Sequence, residues 1–204
     1  EYQKELRQNN ALDFDDIIMK TVEVFRKDEE VLSYWQNHFD YVMVDEYQDT
    51  NYAQYLIVKK LAARNQNICV VGDDAQSIYA FRGANIQNIF NFKRDYPQMK
   101  LFKLEQNYRS TKNIVNAANS IISRNRDQIQ KELWSDNSEG NRIRLIRASD
   151  ERDEGAQVAD SIMNYRLADD ADYRDFAILY RQNSLSRAVE DSLRRMNIPY
   201  RIYQ

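Results

Sequence analysis

The run Tyr41-Val42-Met43-Val44, followed by Asp45-Glu46-Tyr47-Gln48-Asp49, decides the fold class of this chain. The apolar stretch is too short for a helix and stops abruptly on two adjacent carboxylates, the pattern of a buried strand opening into a loop. Beyond it, Ala53, Leu56, Ile57 and Leu61 return at helical spacing. The alternation then repeats: residues 68–71 form a second apolar run ending at Gly72-Asp73, an amphipathic stretch continues to about Phe92, and residues 101–104 are expected as a third strand.

The same rhythm extends in both directions. Upstream, Phe14, Ile17, Ile18, Thr21, Val22 and Phe25 fall on one helical face, with Asp13 as N-cap and Asp16 three residues on. Downstream, Ile114, Val115, Ala118, Ile121 and Ile122 mark another helix, and the polar residues 135–140 read as the best internal linker. Strands are expected at 142–147, at 176–180 and from Ile198, separated by helices over 151–166 and around Leu185, Ala188, Val189 and Leu193. Strands alternating with helices imply βαβ units and an α/β fold with mainly parallel sheets, which place ligand sites just beyond strand ends.

Composition removes several classes. Among 204 residues, 43% are hydrophobic and 30% charged, and no run reaches the roughly 18 apolar residues of a membrane span, so no membrane role is expected. One Cys and one His exclude a disulfide or zinc framework; Cys69, inside an apolar run, reads as a buried core residue in a reducing, cytoplasmic setting. His38, ahead of the first strand, reads as a loop or capping residue. A net charge of −3 offers no broad positive field, so any nucleic-acid contact must be local. The chain begins Glu-Tyr-Gln-Lys-Glu-Leu without an initiating Met, and it reads as a piece of something longer.

Three constellations carry chemistry. Asp45-Glu46 at a strand end can hold Mg²⁺ through one carboxylate and activate water with the other; the same pair also suits a solvated turn. In Gly72-Asp73-Asp74-Ala75-Gln76-Ser77-Ile78-Tyr79-Ala80-Phe81-Arg82-Gly83, Gly72 permits a sharp exit from the strand and Gln76 can sense a terminal phosphate. Tyr79, Phe81 and Arg82 offer rings and a cation to exposed bases, or alternatively pack into the following helix. In Gln106-Asn107-Tyr108-Arg109-Ser110, the Arg can point to a phosphate and the Tyr can lie on a purine, with Ser110 or Thr111 capping the next helix. A surface Arg beside a packing Tyr is the plainer alternative.

Taken in order, these three stretches closely resemble helicase motifs II, III and IV of the UvrD/Rep/PcrA group of superfamily 1, and the segment 11–16 resembles the group's entry helix. The resemblance implies a P-loop NTPase (RecA-like) fold in parts of two motor lobes: the latter half of the first over residues 1–107 and the first half of the second over 108–204. It implies ATP and Mg²⁺ as cofactors, with Asp45 and Glu46 at the metal and Glu46 activating water. Gln76 would contact the γ-phosphate, Tyr108 would stack on adenine, and Arg109 would serve as an arginine finger. Tyr79, Phe81 and Arg82 would face single-stranded DNA, with Phe81 standing where many relatives carry Trp. The implied activity is 3′-to-5′ movement on single-stranded DNA with unwinding at single-strand/duplex junctions, alongside repair or replication proteins.

A P-loop needs Gly-Lys, and none of Gly72, Gly83, Gly140 or Gly155 precedes a Lys. The 204-residue chain alone is therefore expected to be inactive. Two other readings compete: a non-catalytic nucleic-acid-binding or regulatory module, against which the intact Asp45, Glu46, Gln76 and Arg109 argue, and the motor of a helicase-nuclease.

Overall fold

A computed structural model describes residues 1–125 and 128–203. Its contacts divide into two units, Glu1–Gly140 and Asn141–Gln204. The first contains helices α1 (Tyr2–Gln8), α2 (Phe14–Lys27) and α3 (Glu29–His38), then strand β1 (Val42–Val44), helix α4 (Tyr52–Ala62), strand β2 (Ile68–Val70), and helices α5 (Gln87–Asp95) and α6 (Lys112–Ile122). The second unit holds α7 (Glu151–Asp169) and α8 (Ser186–Arg195).

The strand–helix–strand reading of residues 41–71 holds. β1 and β2 pair in parallel, in register Val42 to Ile68 and Val44 to Val70, with α4 as the crossover. The ladder runs one step further, since Val71 N–H donates to Val44 O at 2.8 Å and Tyr47 N–H to Val71 O at 3.0 Å. Asn51 caps α4 through a capping box with Gln54. Tyr47, Tyr55 and Phe92 form the core beneath the sheet, packed by Val44, Ile68, Val70 and Ile89. Asp95, at the end of α5, accepts from the Tyr55 hydroxyl and pairs with Lys59 at 3.0 Å, tying α5 to the crossover helix.

Only one face of this sheet is covered among the described residues. Met43 and Cys69 are opposite each other in the register and side chains alternate along a strand, so both point to the other face and both are exposed. Cys69 is thus not the buried residue its apolar neighbours suggested. α2 starts as expected, with Asp13 accepting from Asp16 N–H at 2.7 Å, but only the C-terminal part of its apolar face is covered: Val22 and Phe25 are buried, while Phe14 and Ile17 are exposed. His38 ends α3, its ring stacked on Tyr34 at 6.0 Å.

The remaining expected strands do not pair among the described residues. Residues 101–104, 142–147, 176–180 and 198–203 carry strand-like sequence, yet Leu104 is 80% exposed, Leu145 89% and Leu179 94%. An apolar run becomes a strand only when a neighbouring strand takes up its N–H and C=O groups, and among the described residues no strand pairs with these segments. The fold is α/β with a small parallel sheet and flanking helices.

In the second unit, α7 and α8 pack around Ala159, Ile162, Leu193 and Ile198, supported by Val158, Phe176 and Val189. No helix among the described residues is long and apolar enough to cross a membrane.

Candidate functional site

The parallel ends of β1 and β2 deliver Asp45-Glu46 and Gly72-Asp73 side by side. Glu46 takes a left-handed backbone conformation, φ 48°, which is costly for a residue with a side chain and recurs where a site demands it. The turn of 3-10 helix that follows, Tyr47–Asp49, is anchored by Tyr47, whose hydroxyl burial pushes up to about 12. Gln48 is only 1% exposed and uses both ends of its amide. Its Nε2 donates to Glu46 Oε2 at 2.7 Å and more weakly to Asp49 Oδ2 at 3.4 Å, and its Oε1 accepts the Asp73 N–H at 3.0 Å.

Gly72 serves this packing rather than a special turn. It is not among the residues with positive φ, but a Cβ there would sit 2.8 Å from Gln48 Oε1 and 3.2 Å from Ile89 Cδ1. The glycine makes room for the buried glutamine.

Asp73 is the hub of the second stretch. Its carboxylate accepts Ala75 N–H at 3.0 Å and Gln76 Nε2 at 2.7 Å, and forms an ion pair with Lys131. Lys131 also lies 3.5 Å from Asp74 Oδ1, and Asp74 Oδ2 accepts Ile129 N–H at 2.7 Å. A strap over 129–131 is thereby fastened to the Asp73–Gln76 loop. Burial pushes the Asp73 carboxyl up, yet the bonds from Lys131 and Gln76 outweigh it and hold the group below its ordinary value.

A carboxyl depressed in the folded state stabilises above its unfolded pKa, about 4, and that gain is lost as pH falls through the lower folded value. Replacing Lys131 by Met, which keeps the stem, is expected to cost roughly 1–3 kcal/mol near neutral pH, less than a fully buried pair would. In thermal unfolding the gap from the parent chain should narrow as pH falls through the range where Asp73 protonates. A gap of constant size across that range would mean that the stem, not the charge, carries the effect.

Tyr79, Phe81 and Arg82 surround a 3-10 turn, Ala80–Arg82, closed by Gly83 at φ 84°. The two rings lie 5.9 Å apart, and Arg82 Cζ sits 5.5 Å from each. Phe81 is 79% exposed, so this trio is presented outward rather than packed into a helix; the amphipathic stretch expected to run to about Phe92 begins as short turns, and α5 starts only at Gln87. Buried Asn88 secures the turn's far side, donating to Thr50 O at 3.0 Å.

Tyr108 and Arg109 lie on a bend whose backbone is held by Asn107, which accepts Arg109 N–H at 3.0 Å and Ser110 N–H at 2.7 Å. Both side chains are exposed, and Tyr108 donates to Gln106 Oε1 at 2.8 Å. Thr111 occupies the N-cap of α6, but no side chain caps it; Ser138 O and Glu139 O accept the first helical N–H groups instead. Asn137 Nδ2 donates to Tyr108 O at 3.2 Å and Ser110 O at 3.0 Å. The polar loop 135–140 is therefore a built cap, with the unit boundary immediately after it.

The structure thus joins Glu46 to the Gln76 loop through Gln48 and Asp73, and gathers Tyr79, Phe81 and Arg82 nearby in sequence. No hydrogen bond or ion pair among the described residues links the Arg109 guanidinium to Asp45, Glu46 or Gln76. For Mg²⁺ the donors fit: Asp45 is exposed and one oxygen takes only the Glu46 N–H at 2.9 Å, while Asp49 Oδ1 is buried without a hydrogen-bond partner. Among the described residues no three Asp, Glu, His or Cys side chains converge to hold a metal by themselves, so phosphate oxygens and water would complete the set. Gln48 and Lys131 join the site from outside the residues expected there; a Gln between carboxylates hinted at the first, and nothing local marked the second.

Paired carboxylates at one strand end thus lie beside a loop bearing Gln76 at the next, where an α/β sheet presents groups to a ligand. The chain's own relatives are more specific. Residues 1–97 match the UvrD/REP helicase N-terminal domain and residues 102–204 the UvrD-like helicase C-terminal domain, and the chain belongs to this UvrD-like helicase family. It is 52% identical over 199 residues to the ATP-dependent DNA helicase PcrA of Staphylococcus epidermidis, and 51% to that of Staphylococcus aureus. The match covers 98% of this chain but 27% of each relative's length.

Proposed function

We propose that this chain is the central part of the motor of an ATP-dependent DNA helicase, with RecA-like lobes meeting at 107/108, moving 3′ to 5′ on single-stranded DNA. The observation that carries the reading is the hydrogen-bonded link from Glu46 through Gln48 to Asp73 and Gln76, since a motor must tie its water-activating group to its phosphate sensor.

In this reading Asp45 would hold the Mg²⁺ of Mg-ATP, which when bound would supply positive charge against the phosphates. Glu46 takes a proton from water as the water oxygen bonds to the γ-phosphorus; the bond from that phosphorus to the β,γ-bridging oxygen breaks and ADP leaves with the electron pair. Gln76 exchanges Asp73 for a γ-phosphate oxygen. Arg109 meets the charge of the transition state, and Tyr108 offers its exposed face to adenine. Tyr79, Phe81 and Arg82 stack against and neutralise single-stranded DNA.

The test is DNA-stimulated ATP turnover. The full-length protein should hydrolyse ATP faster when single-stranded DNA is added, and Phe81→Ala should blunt that stimulation by an amount consistent with losing one stacked base, about 1–3 kcal/mol. The isolated 204-residue chain should show no turnover, because its four glycines include no Gly-Lys. Robust hydrolysis by the isolated chain would overturn the reading.

A further inference from the structure

We propose that Gln48 is a positioning residue for hydrolysis: its buried amide aims the Glu46 carboxylate and couples it to the backbone of the Gln76 loop. The inference rests on Glu46 acting as the water-activating base.

Four observations converge on it. Gln48 is among the most buried side chains of the chain, at 1% exposure, although an amide is costly to bury unless both ends are satisfied. Both ends are satisfied, and by functional groups: Nε2 donates to Glu46 Oε2 at 2.7 Å, and Oε1 accepts Asp73 N–H at 3.0 Å. The bond to Glu46 occupies Oε2 and leaves Oε1 without a partner among the described residues, free to accept a proton from water. Finally, the absence of a side chain at Gly72 makes room for this amide, since any Cβ at residue 72 would press on Gln48 Oε1 at 2.8 Å.

The chemistry follows from the donor. A carboxylate on a loop rotates freely about its last torsion, and a base is effective only when held within hydrogen-bond reach of its proton. One amide N–H fixed to Oε2 stops that rotation. The other end of the same rigid amide plane is fixed to Asp73 N–H, while the Asp73 side chain holds Gln76 Nε2 at 2.7 Å. A shift of the Gln76 loop on meeting a phosphate is therefore transmitted through Gln48 to the orientation of Glu46.

The experiment compares Gln48→Glu, Gln48→Met and Glu46→Gln in the full-length protein, measuring kcat and KM for ATP across a pH series with thermal unfolding midpoints alongside. Gln48→Glu keeps an acceptor for Asp73 N–H but replaces the donor with a second anion facing Glu46. Near neutral pH it should lower kcat by about 10–100-fold, the scale found for partners that orient a reactive group, with KM changed little. As pH falls and the introduced carboxyl takes up a proton, its O–H becomes a donor and kcat relative to the parent should recover. Gln48→Met, similar in volume with neither donor nor acceptor, should lose kcat at every pH without recovery.

A kcat near that of the parent in both Gln48 variants, or a loss by Gln48→Glu that ignores pH, would overturn the proposal. If Gln48→Met fails to fold, the pH recovery of Gln48→Glu decides alone. Glu46→Gln separates the two levels: abolished turnover with unperturbed Gln48 variants sinks only the positioning role, whereas retained turnover in Glu46→Gln sinks the base assignment and the proposal with it.

Discussion

Arg109→Ala in the full-length protein is expected to lower ATP turnover by about 10³–10⁵, the range for arginine fingers, with a much smaller change in nucleotide affinity. The structure prepares this residue in an unusual way. Its backbone is fixed, because Asn107 accepts the N–H groups of both Arg109 and Ser110, and Asn137 holds the carbonyls of Tyr108 and Ser110. Its guanidinium has no partner among the described residues. A charge carried on a fixed backbone and not already neutralised costs little to redirect to an anion, and its planar fork suits two phosphate oxygens at once. Arg109→Lys should recover only a small part of the loss, since an ammonium gives a point charge without the fork. A rise in KM that accounted for the whole loss in kcat/KM would instead mean that Arg109 binds ground-state ATP, and its role as a finger would fall.

This site was legible in outline and illegible in its connections. Asp45-Glu46, Gly72-Asp73 and Tyr108-Arg109 could be found because polar residues interrupting apolar runs mark strand ends, and the first two do end strands. What joins them could not be found. Gln48 meets Asp73 across 25 residues, and Lys131 meets it across 58; no periodicity reports such contacts, because they depend on where the parallel strands stop and where the strap returns. The loop 135–140 looked like a linker for a related reason. Its polar residues do solvate a boundary, but their carbonyls and amides are spent capping α6 and holding Tyr108, tasks for which backbone atoms suffice and sequence gives no sign.

The fold shows the same division. Most helices were readable from their own residues, since an α-helix satisfies its backbone locally, although α3 was not expected. Strands were readable only as candidates. Residues 101–104 and 176–180 have the composition of strands and lie unpaired among the described residues, because pairing is a property of two segments. Cys69 failed likewise: its apolar run read as buried throughout, but which face of the strand is covered depended on α4 and α5.

Gly155 sets a sequence-level rule against a tertiary one, and here the tertiary one should win. In the interior of α7, Gly→Ala ordinarily stabilises by about 0.5–1 kcal/mol, because glycine loses the most backbone freedom on folding. At this position a Cβ would lie 2.5 Å from Ala188 O and 2.9 Å from both Ala188 C and Ser192 Oγ on α8. The first two are backbone atoms, which cannot rotate away; the Ser192 hydroxyl is itself tied to Ala188 O at 3.0 Å. The helices must therefore separate, opening the cluster of Ala159, Ile162, Leu193 and Ile198. Gly155→Ala is expected to destabilise by about 1–3 kcal/mol, the usual cost of overpacking, and Gly155→Val by more. Ser192→Ala should leave the Gly155→Ala penalty largely intact, because the carbonyl of Ala188 remains. Thermal unfolding of the single and double variants measures all three, and a midpoint raised by Gly155→Ala would show that α7 and α8 approach less closely than these distances require.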